Sequence, residues 1–261
     1  MDMSTIVDLV HLYEYAGFTV QSSLNPGHFA GYNIAEIPFT YIYQDDKPMC
    51  KGGGIAFAEI GFMESVFENY HPQNIFIIGN AFGWSTLALA LMNRSARVVA
   101  IDWCPRPEEK RGLEVTNALA RQAGLNAEAL EGKSPDDVAR TCQDQFSGPV
   151  DFVFIDGGHT PEQLLKDFNA CKDVASLDCV YLFHDVVNFL MVEAFLRVSQ
   201  TNPELRSSLL FRTPSGMAIS FPPRFDDQLA PVVSAFTETD ERVKALREEG
   251  ARRLATQESG H

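Results

Sequence analysis

The amino-acid sequence predicts an α/β fold built on a doubly wound, mostly parallel β-sheet. The clearest indication is the segment 150–161, in which a nearly continuous apolar run leads into Asp156-Gly157-Gly158-His159 and then into a helix start. An apolar run without polar alternation is typical of a strand buried on both faces, as in a parallel sheet. Between residues 74 and 221 such runs alternate with helix-like segments, which indicates parallel strands joined by helical crossovers.

Apolar runs of strand length locate the individual strands. The parallel strands are predicted at residues 74–78, 97–101, 127–130, 150–155 and 179–183. A helix over residues 189–198 is expected after the last of them. Two further runs, 209–213 and 217–221, flank a Pro-Ser-Gly segment, which predicts an antiparallel hairpin at the end of the sheet.

Capping residues indicate where two of the helices begin. Ser134 is the expected N-cap of the helix after the third strand, and Pro135 suits its first helical position. Thr160 is the expected N-cap after the fourth strand, and Pro161 again follows it. Gln163 stands three residues after Thr160 and predicts a capping box.

The chain divides into three predicted segments. Residues 1–70 are expected to form an N-terminal cap and lid, with helices over residues 5–15 and 55–70 and loops between them. Residues 71–223 contain the alternating strands and helices of the main domain. Residues 224–261 form a charged, helix-prone tail, which is interpreted either as a solvated tail or as a helix for homo-oligomerisation.

Composition narrows the class of function. The net charge of −14, with no basic run, argues against binding to nucleic acid or to an anionic membrane surface. The five cysteines include no Cys-x-x-Cys pair, which is typical of buried thiols in a reducing compartment. The chain shows neither a signal-peptide pattern nor 18 consecutive apolar residues, so a cytoplasmic protein is expected.

A glycine turn between the first strand and its helix suggests a ligand site. Gly79 permits the tight turn, and Gly83 is expected to let the backbone approach a ligand at the helix N-terminus. The second strand ends in Asp102, where an acid can hydrogen-bond the two hydroxyls of a ribose. A purely structural turn without a ligand is the alternative, and Asp102 counts against it.

The spacing of this turn distinguishes between nucleosides. A dinucleotide fingerprint that starts at Gly79 requires glycine at positions 81 and 84, where the chain has Ala81 and Trp84. An indole at the third position obstructs close packing of helix on strand. The Gly-x-x-x-Gly spacing suits a ligand without a pyrophosphate, and S-adenosylmethionine fits that description.

Over roughly residues 50–221 the chain resembles class I S-adenosylmethionine-dependent methyltransferases, which have a Rossmann-like sheet. Within that superfamily it is similar to small-molecule O-methyltransferases of the catechol type and of the metal-dependent sugar and macrolide type. The resemblance rests on the glycine turn, Asp102, Gly132-Lys133-Ser134, and Asp156 with a base candidate three residues later. It implies S-adenosylmethionine as cofactor and a hydroxylated small molecule as acceptor.

The resemblance also implies roles for individual residues. Gly79 and Ser85 correspond to positions that hold the methionine moiety, Asp102 to the ribose site, and Trp103 with Ser134 to the adenine site. The loop 51–53 is similar to a segment that closes over cofactor and substrate. The full set of expected cofactor-binding residues is Gly52, Gly79, Asn80, Gly83, Trp84, Ser85, Asp102, Trp103, Ser134 and Asp156.

His159 is the predicted general base, and the alternative is a structural histidine that hydrogen-bonds the loop. It stands just before a helix N-terminus, whose positive end is expected to lower the pKa of the imidazole and favour its neutral form. Asp156 and Asp185 end neighbouring strands and can share a divalent ion. The related enzymes carry an acid and then Asp or Asn after the fifth strand, whereas this chain has His184-Asp185.

His184 bears on which metal is expected. A site of Asp156, His184 and Asp185 suits manganese, iron, nickel or zinc better than magnesium, because it contains a nitrogen donor. The alternative is that no metal binds and these residues only shape the pocket.

Taken together, the motifs predict O-methylation of a small-molecule hydroxyl. A nicotinamide-dependent oxidoreductase and a non-catalytic interaction module remain the alternatives, disfavoured by Trp84 and by the intact motifs respectively.

Overall fold

A computed structural model describes residues 4–23, 38–50 and 52–258 of the chain. Its strands are β1 (Thr19–Gln21), β2 (Tyr41–Gln44), β3 (Lys47–Pro48), β4 (Asn74–Ile78), β5 (Arg97–Asp102), β6 (Ala127–Glu131), β7 (Val150–Ile155), β8 (Ala175–Phe183), β9 (Arg206–Leu210) and β10 (Met217–Phe221). Its helices are α1 (Thr5–Tyr15), α2 (Phe57–Phe67), α3 (Trp84–Met92), α4 (Pro107–Gln122), α5 (Val138–Gln145), α6 (Pro161–Lys172), α7 (Val192–Thr201), α8 (Asp226–Phe236) and α9 (Asp240–Glu258). No helix of these described ranges is long and apolar enough to cross a bilayer.

The main sheet confirms the predicted fold class. It has seven strands in the order β6-β5-β4-β7-β8-β10-β9. The strands from β4 to β8 are parallel to one another, and β10 is antiparallel to both of its neighbours. The chain order reverses between β4 and β7, which is the position where open α/β sheets bind ligands at the carboxyl ends of their strands.

Burial on both faces explains why the central strands are continuously apolar. In β7, Phe152 and Phe154 pack into the hydrophobic cluster on one side of the sheet. Val153 and Ile155 alternate with them and pack into the cluster on the other side. Because successive side chains of a strand point to opposite faces, a strand that is covered on both faces requires apolar residues at every position.

The N-terminal segment packs against the start of α3. The Tyr13 hydroxyl donates a hydrogen bond to the Phe82 carbonyl at 2.6 Å, and the Tyr13 and Trp84 rings lie 5.3 Å apart. The Trp84 indole N–H donates to the Ile55 carbonyl at 3.1 Å. Strands β1 to β3 form a separate small antiparallel sheet in this region. Much of the loop part of the predicted cap, residues 24–37, lies outside the described residues.

Two predicted helix starts differ in detail from the structure. The helix after β6 begins at Val138, so Ser134 is not its N-cap; the Ser134 hydroxyl donates to the Asp167 carboxylate instead. Thr160 is confirmed as the N-cap of α6, because its hydroxyl accepts the Gln163 N–H at 3.2 Å. The predicted capping box is wrong, because the Gln163 amide donates to the Ser134 carbonyl at 3.1 Å and to Asp167.

The later elements follow the predicted order with shifted boundaries. The hairpin is present, but its first strand ends at Leu210 because the Thr213 N–H donates to the Leu210 carbonyl at 3.0 Å and closes a turn. Helix α7 begins at Val192 rather than near residue 189. The residues before it form turns, in which the Phe189 N–H donates to the Asp185 carbonyl at 3.0 Å.

Gly83 allows helix α3 to pack closely against helix α4. Its φ of +83° is left-handed, and a Cβ at this position would lie 2.1 Å from Oγ1 of Thr116 on α4. Thr116 therefore occupies the space where the sequence suggests a ligand. The close contact holds α3 against α4, and only glycine fits it.

We expect Gly83→Ala to lower the free energy of unfolding by about 2–4 kcal/mol, since it adds left-handed strain and overpacking. Urea denaturation measures this change. Gly61 lies inside α2, and a Cβ added to it would meet no neighbouring atom within 4 Å, so Gly61→Ala is the matched control. That variant should stabilise the protein by about 0.5–1 kcal/mol. Equal effects of the two substitutions would contradict the packing role of Gly83.

Candidate active site

A cavity of about 550 Å³ opens at the carboxyl ends of β4 to β7. This volume is in the range of small-molecule sites. The cavity wall includes every expected cofactor-binding residue except Gly83: Gly52, Gly79, Asn80, Trp84, Ser85, Asp102, Trp103, Ser134 and Asp156. His159 also lines it. Lys51, which belongs to the predicted closing loop, lies outside the described residues.

Asp102 holds the glycine turn in place. One carboxylate oxygen, Oδ2, accepts the backbone N–H groups of Asn80 at 2.9 Å and Ala81 at 2.6 Å. Burial raises the pKa of Asp102, while these two hydrogen bonds act in the opposite direction. Gly79 has φ +97°, and a Cβ there would lie 1.9 Å from the Asp156 carbonyl oxygen. The turn is thus rigid and pressed against the end of β7.

The two tryptophans of the cavity wall have different environments. Trp84 is buried, and its ring stacks on Phe57 with centroids 6.4 Å apart. Trp103 is 60% exposed at the rim, and the Lys133 ammonium lies 5.4 Å from the centre of its ring. Trp84 therefore supports the wall from behind, whereas Trp103 offers an open ring face to a bound molecule.

Four titratable side chains meet at the ends of β7 and β8. The Asp156 Oδ1 atom lies 3.0 Å from Nδ1 of His184 and 3.4 Å from Nε2 of His159. Asp185 Oδ2 lies 3.4 Å from His184 Nδ1 and 3.5 Å from His159 Nε2. The sequence predicts that Asp156, His184 and Asp185 come together, and the structure places them so. His159 contacts both carboxylates of this group.

Residues 76–186 match a family model described as a methyltransferase domain. The matched segment runs from within β4 to beyond the end of β8, so it contains the glycine turn and Asp102, Asp156, His159 and His184. This segment of the chain is therefore similar to a methyltransferase domain. No curated protein matches the chain.

Solved structures share the fold of this protein. An O-methyltransferase from Bacillus cereus, in complex with SAH, aligns with a TM-score of 0.54 and 17% identity over 64% of this chain and 82% of that one. The O-methyltransferase TomG from Streptomyces achromogenes, which is involved in tomaymycin synthesis and was solved with SAM, has a TM-score of 0.54 and 13% identity. That alignment covers 85% of this chain and 91% of TomG.

Glu59 belongs to the same cluster, and sequence reasoning missed it. Its carboxylate is fully buried, and Oε2 lies 3.0 Å from His184 Nε2. The same oxygen accepts the Ala56 N–H at 2.8 Å. The other oxygen accepts the N–H of Ser215 at 3.0 Å and also its hydroxyl. The sequence near Glu59 offers one weak indication of a functional role, which is its position in the first turn of a helix that follows a glycine-rich loop.

His184 is enclosed by carboxylates. Both ring nitrogens face acidic oxygens, and the side chain is 3% exposed. Burial alone lowers the pKa of His184, but the charge of Asp156 and the hydrogen bonds to Asp156, Asp185 and Glu59 raise it well above its usual value. Both ring nitrogens face carboxylate oxygens, so the geometry favours His159 over His184 as the group that receives a proton from an acceptor hydroxyl.

The protonation expected for His159 is also wrong. Burial lowers the pKa of its imidazole, but Asp156 and Asp185 outweigh that effect and raise it. These carboxylates, at 3.4 and 3.5 Å, act more strongly than the helix N-terminus that follows. For Asp156 burial alone would raise the pKa of the carboxyl group. The charge of His184 and the contacts with the two imidazoles outweigh burial and lower this pKa to about 2.

The donor set of this cluster fits a divalent transition metal. Asp156, His184 and Asp185 each offer a ligand atom, and these atoms lie within 4.8 Å of one another. Glu59 stands behind His184 as a carboxylate partner on the opposite ring nitrogen, an arrangement usual for metal-binding histidines. Asp185 has φ +58°, a conformation uncommon outside glycine that is often found at functional sites.

Phe189 is a second residue that sequence reasoning missed. Its ring lies 4.3 Å from the His159 ring and is tilted by 33°. The sequence predicts Phe189 inside a helix, whereas it lies in the turn before α7 and is 46% exposed. The ring covers one face of the His159 imidazole, and the rest of the side chain is exposed.

Proposed function

We propose that the protein transfers the methyl group of S-adenosylmethionine to a hydroxyl oxygen of a small molecule. The observation that carries this proposal is one continuous cavity with the Asp102 carboxylate on one side and the His159 imidazole on the other. The first suits a ribose, and the second suits an acceptor that must lose a proton. The dinucleotide-binding turn of a nicotinamide-dependent enzyme requires glycine at position 84 for close packing of helix on strand beside the pyrophosphate, and buried Trp84 stands there instead.

The cofactor would lie across the carboxyl ends of the strands. Asp102 uses Oδ2 for the glycine turn, and its other oxygen has no donor among the described residues, so it is free for ribose hydroxyls. Gly79 and Ser85 would hold the methionine moiety next to Asp156. Trp103 and Ser134 would enclose the adenine. Gly52, in the loop above the cavity, would cover the bound cofactor.

Methyl transfer is an in-line displacement in which the acceptor oxygen attacks the methyl carbon and the thioether leaves. The protein's task is to orient the two reactants and to accept the hydroxyl proton. His159 would accept that proton at Nε2. Asp156 and Asp185 lie 3.4 and 3.5 Å from this nitrogen and would stabilise the imidazolium that forms. Phe189 would hold the ring in position.

Asp156, His184 and Asp185 are the proposed metal ligands. A divalent cation bound there would polarise the acceptor hydroxyl and ease the loss of its proton. Glu59 would keep the proton of His184 on Nε2, so that Nδ1 can coordinate. A mixed nitrogen and carboxylate set favours transition metals over calcium or magnesium.

Several expectations from the sequence stay predictions. The acceptor is expected to be a small hydroxylated molecule, and neither nucleic acid nor a membrane is an expected partner. The division into residues 1–70, 71–223 and 224–261 and a role of the tail in homo-oligomerisation also remain to be measured.

Binding of the cofactor is the first test. We expect micromolar affinity for S-adenosylmethionine or its demethylated product, and Asp102→Ala should weaken it at least about tenfold, because charge-assisted hydrogen bonds contribute roughly 1.5–3 kcal/mol. Isothermal titration calorimetry gives both constants. Glu131, an exposed acid at the end of the neighbouring strand, offers the control Glu131→Gln with unchanged affinity. Tight binding of NADH without a response to S-adenosylmethionine would falsify the assignment.

The role of His159 can be separated from cofactor binding. We expect His159→Ala to lower kcat by about 10²–10⁴-fold while the affinity for the demethylated cofactor stays within about twofold, because the imidazole faces the acceptor. Methyl transfer to a panel of hydroxylated acceptors, measured by mass spectrometry, supplies kcat once an acceptor is found. His71→Ala, at an exposed position far along the chain, is the control. An unchanged kcat in His159→Ala would assign proton removal to another group.

Metal binding can be measured without turnover. After chelator treatment, titration with Co²⁺ should produce ligand-field absorption bands, and Asp185→Asn should abolish them. We expect Glu59→Gln to weaken Co²⁺ binding by about 10–100-fold, because it removes the carboxylate that orients His184. Glu68→Gln, an exposed position just after the same helix, should bind like the wild type. No Co²⁺ binding by the wild type would remove the metal from the proposed function.

A further inference from the structure

Tyr13 of helix α1 carries a buried hydroxyl that the proposed chemistry does not use. The side chain is fully buried, and its hydroxyl donates a hydrogen bond to the Phe82 carbonyl at 2.6 Å, across 69 positions of the chain. Burial raises the pKa of Tyr13 well above its usual range, so the hydroxyl keeps its proton and remains a donor. Within residues 4–23, 38–50 and 52–258, no backbone N–H donates to the Phe82 carbonyl. Tyr13 therefore supplies the partner that this buried acceptor needs.

Phe82 belongs to the turn between β4 and α3, whose backbone conformation is unusual. Three of its residues have a left-handed φ, which is +97° at Gly79, +44° at Ala81 and +83° at Gly83. Such a φ is unfavourable for alanine, so local preference alone does not produce this turn. Contacts from distant parts of the chain have to hold it. Asp102 does so from the end of β5, and Tyr13 does so from α1.

The same turn faces the candidate active site. Asn80, Ala81 and Phe82 line the cavity, and so does Ser85 in the first turn of α3. In the proposed function this region holds the methionine moiety of the cofactor, and the present inference rests on that function. Backbone N–H groups at a helix start bind anionic groups such as a carboxylate. The affinity is highest when these groups are already held in the binding orientation.

We infer that Tyr13 is a positioning residue for the cofactor: its hydroxyl fixes the Phe82 carbonyl and thereby orients the turn toward the methionine moiety. Tyr13 acts through the turn, because its own side chain is enclosed by protein. Its ring lies 5.3 Å from the Trp84 ring and 6.1 Å from the Phe18 ring, measured between centroids. Helix α1 is thus part of the cofactor site, although it lies behind the cavity wall.

Two matched substitutions separate positioning from general stability. Tyr13→Phe removes the hydroxyl and keeps the packed ring. Tyr70→Phe is the control, because the Tyr70 hydroxyl donates to the carbonyls of Asp151 and Asp178 at 2.6 and 2.9 Å. Asp151 lies at the amino end of β7, opposite to the cavity. We expect each variant to lower the unfolding temperature by about 2–8 °C, and Tyr70→Phe at least as much as Tyr13→Phe, since its hydroxyl serves two carbonyls.

Calorimetry with S-adenosylhomocysteine and 5′-methylthioadenosine tests the inference. The second compound keeps the adenosine and the thioether but lacks the amino-acid part. We expect Tyr13→Phe to weaken binding of S-adenosylhomocysteine by about 5–20-fold, because the turn loses one of its supports. The affinity for 5′-methylthioadenosine, measured by competition against S-adenosylhomocysteine, should change by less than about twofold, since this compound does not reach the turn. Tyr70→Phe should keep both affinities.

Hydrogen exchange of the wild type provides a test that needs no variant. Coupling between two sites is reciprocal, so a ligand that binds the turn should stabilise α1 in return. We expect S-adenosylhomocysteine to slow amide exchange in α1 more than in α8. Neither helix contributes a residue to the cavity wall, but only α1 bears the hydroxyl that holds the turn.

The outcomes separate the inference from the proposed function. If the wild type binds neither compound, the proposed function fails. If the wild type binds S-adenosylhomocysteine and Tyr13→Phe binds it as tightly, the inference is overturned. Equal losses for the two compounds, or the same loss in Tyr70→Phe, would give Tyr13 only a structural role and overturn it as well. If the wild type binds S-adenosylhomocysteine alone, the comparison with Tyr70→Phe decides.

The exchange experiment decides if Tyr13→Phe does not fold. Equal protection of α1 and α8 in the wild type then overturns the inference, whereas stronger protection of α1 supports it. In a folded Tyr13→Phe variant, a loss confined to S-adenosylhomocysteine supports the inference directly, because general destabilisation affects both compounds alike.

Discussion

The neighbouring parallel strands β4 and β7 are the constraint on which the rest of this structure depends. The chain order reverses between them, so the segments that leave their carboxyl ends diverge and open a crevice. Gly79 at the end of β4 lies so close to the Asp156 carbonyl that only a glycine is accommodated. The crevice is thus narrow at its base and is lined by backbone.

Charge compensation is the second requirement of the site. Three buried acids, Glu59, Asp156 and Asp185, surround the imidazole of His184. Buried charges of one sign are unfavourable unless cations or hydrogen bonds offset them. In this cluster a proton on His184 Nδ1 meets that need, and the proposed metal ion would compete with it for the same position. The same carboxylates also make His159 a stronger base.

The sequence predicts much of the fold, because the decisive signals are local. Continuous apolar runs identify β4 and β7, and Thr160 with Pro161 identifies the start of α6. Ser134, which also precedes a proline, has the same local pattern of an N-cap as Thr160. Its hydroxyl instead donates a hydrogen bond to the carboxylate of Asp167, which lies 33 residues further along the chain. The raised pKa of His159 was missed for a similar reason, because Asp185 is distant in sequence. Glu59 acts on His184 across 125 positions, and no spacing rule connects them.

The single carboxylate of Glu59 joins three parts of the chain that are synthesised far apart. It binds the backbone at Ala56, the imidazole of His184, and the turn of the terminal hairpin at Ser215, 156 residues away. A nascent chain that ends before the hairpin contains every proposed cofactor-binding residue but leaves this carboxylate without its Ser215 donors. Long-range contacts of this kind form late in folding, because the entropy of closing the loop has to be overcome first. Assembly of the acid–base cluster therefore coincides with completion of the sheet, and premature termination yields a chain without an ordered reaction centre.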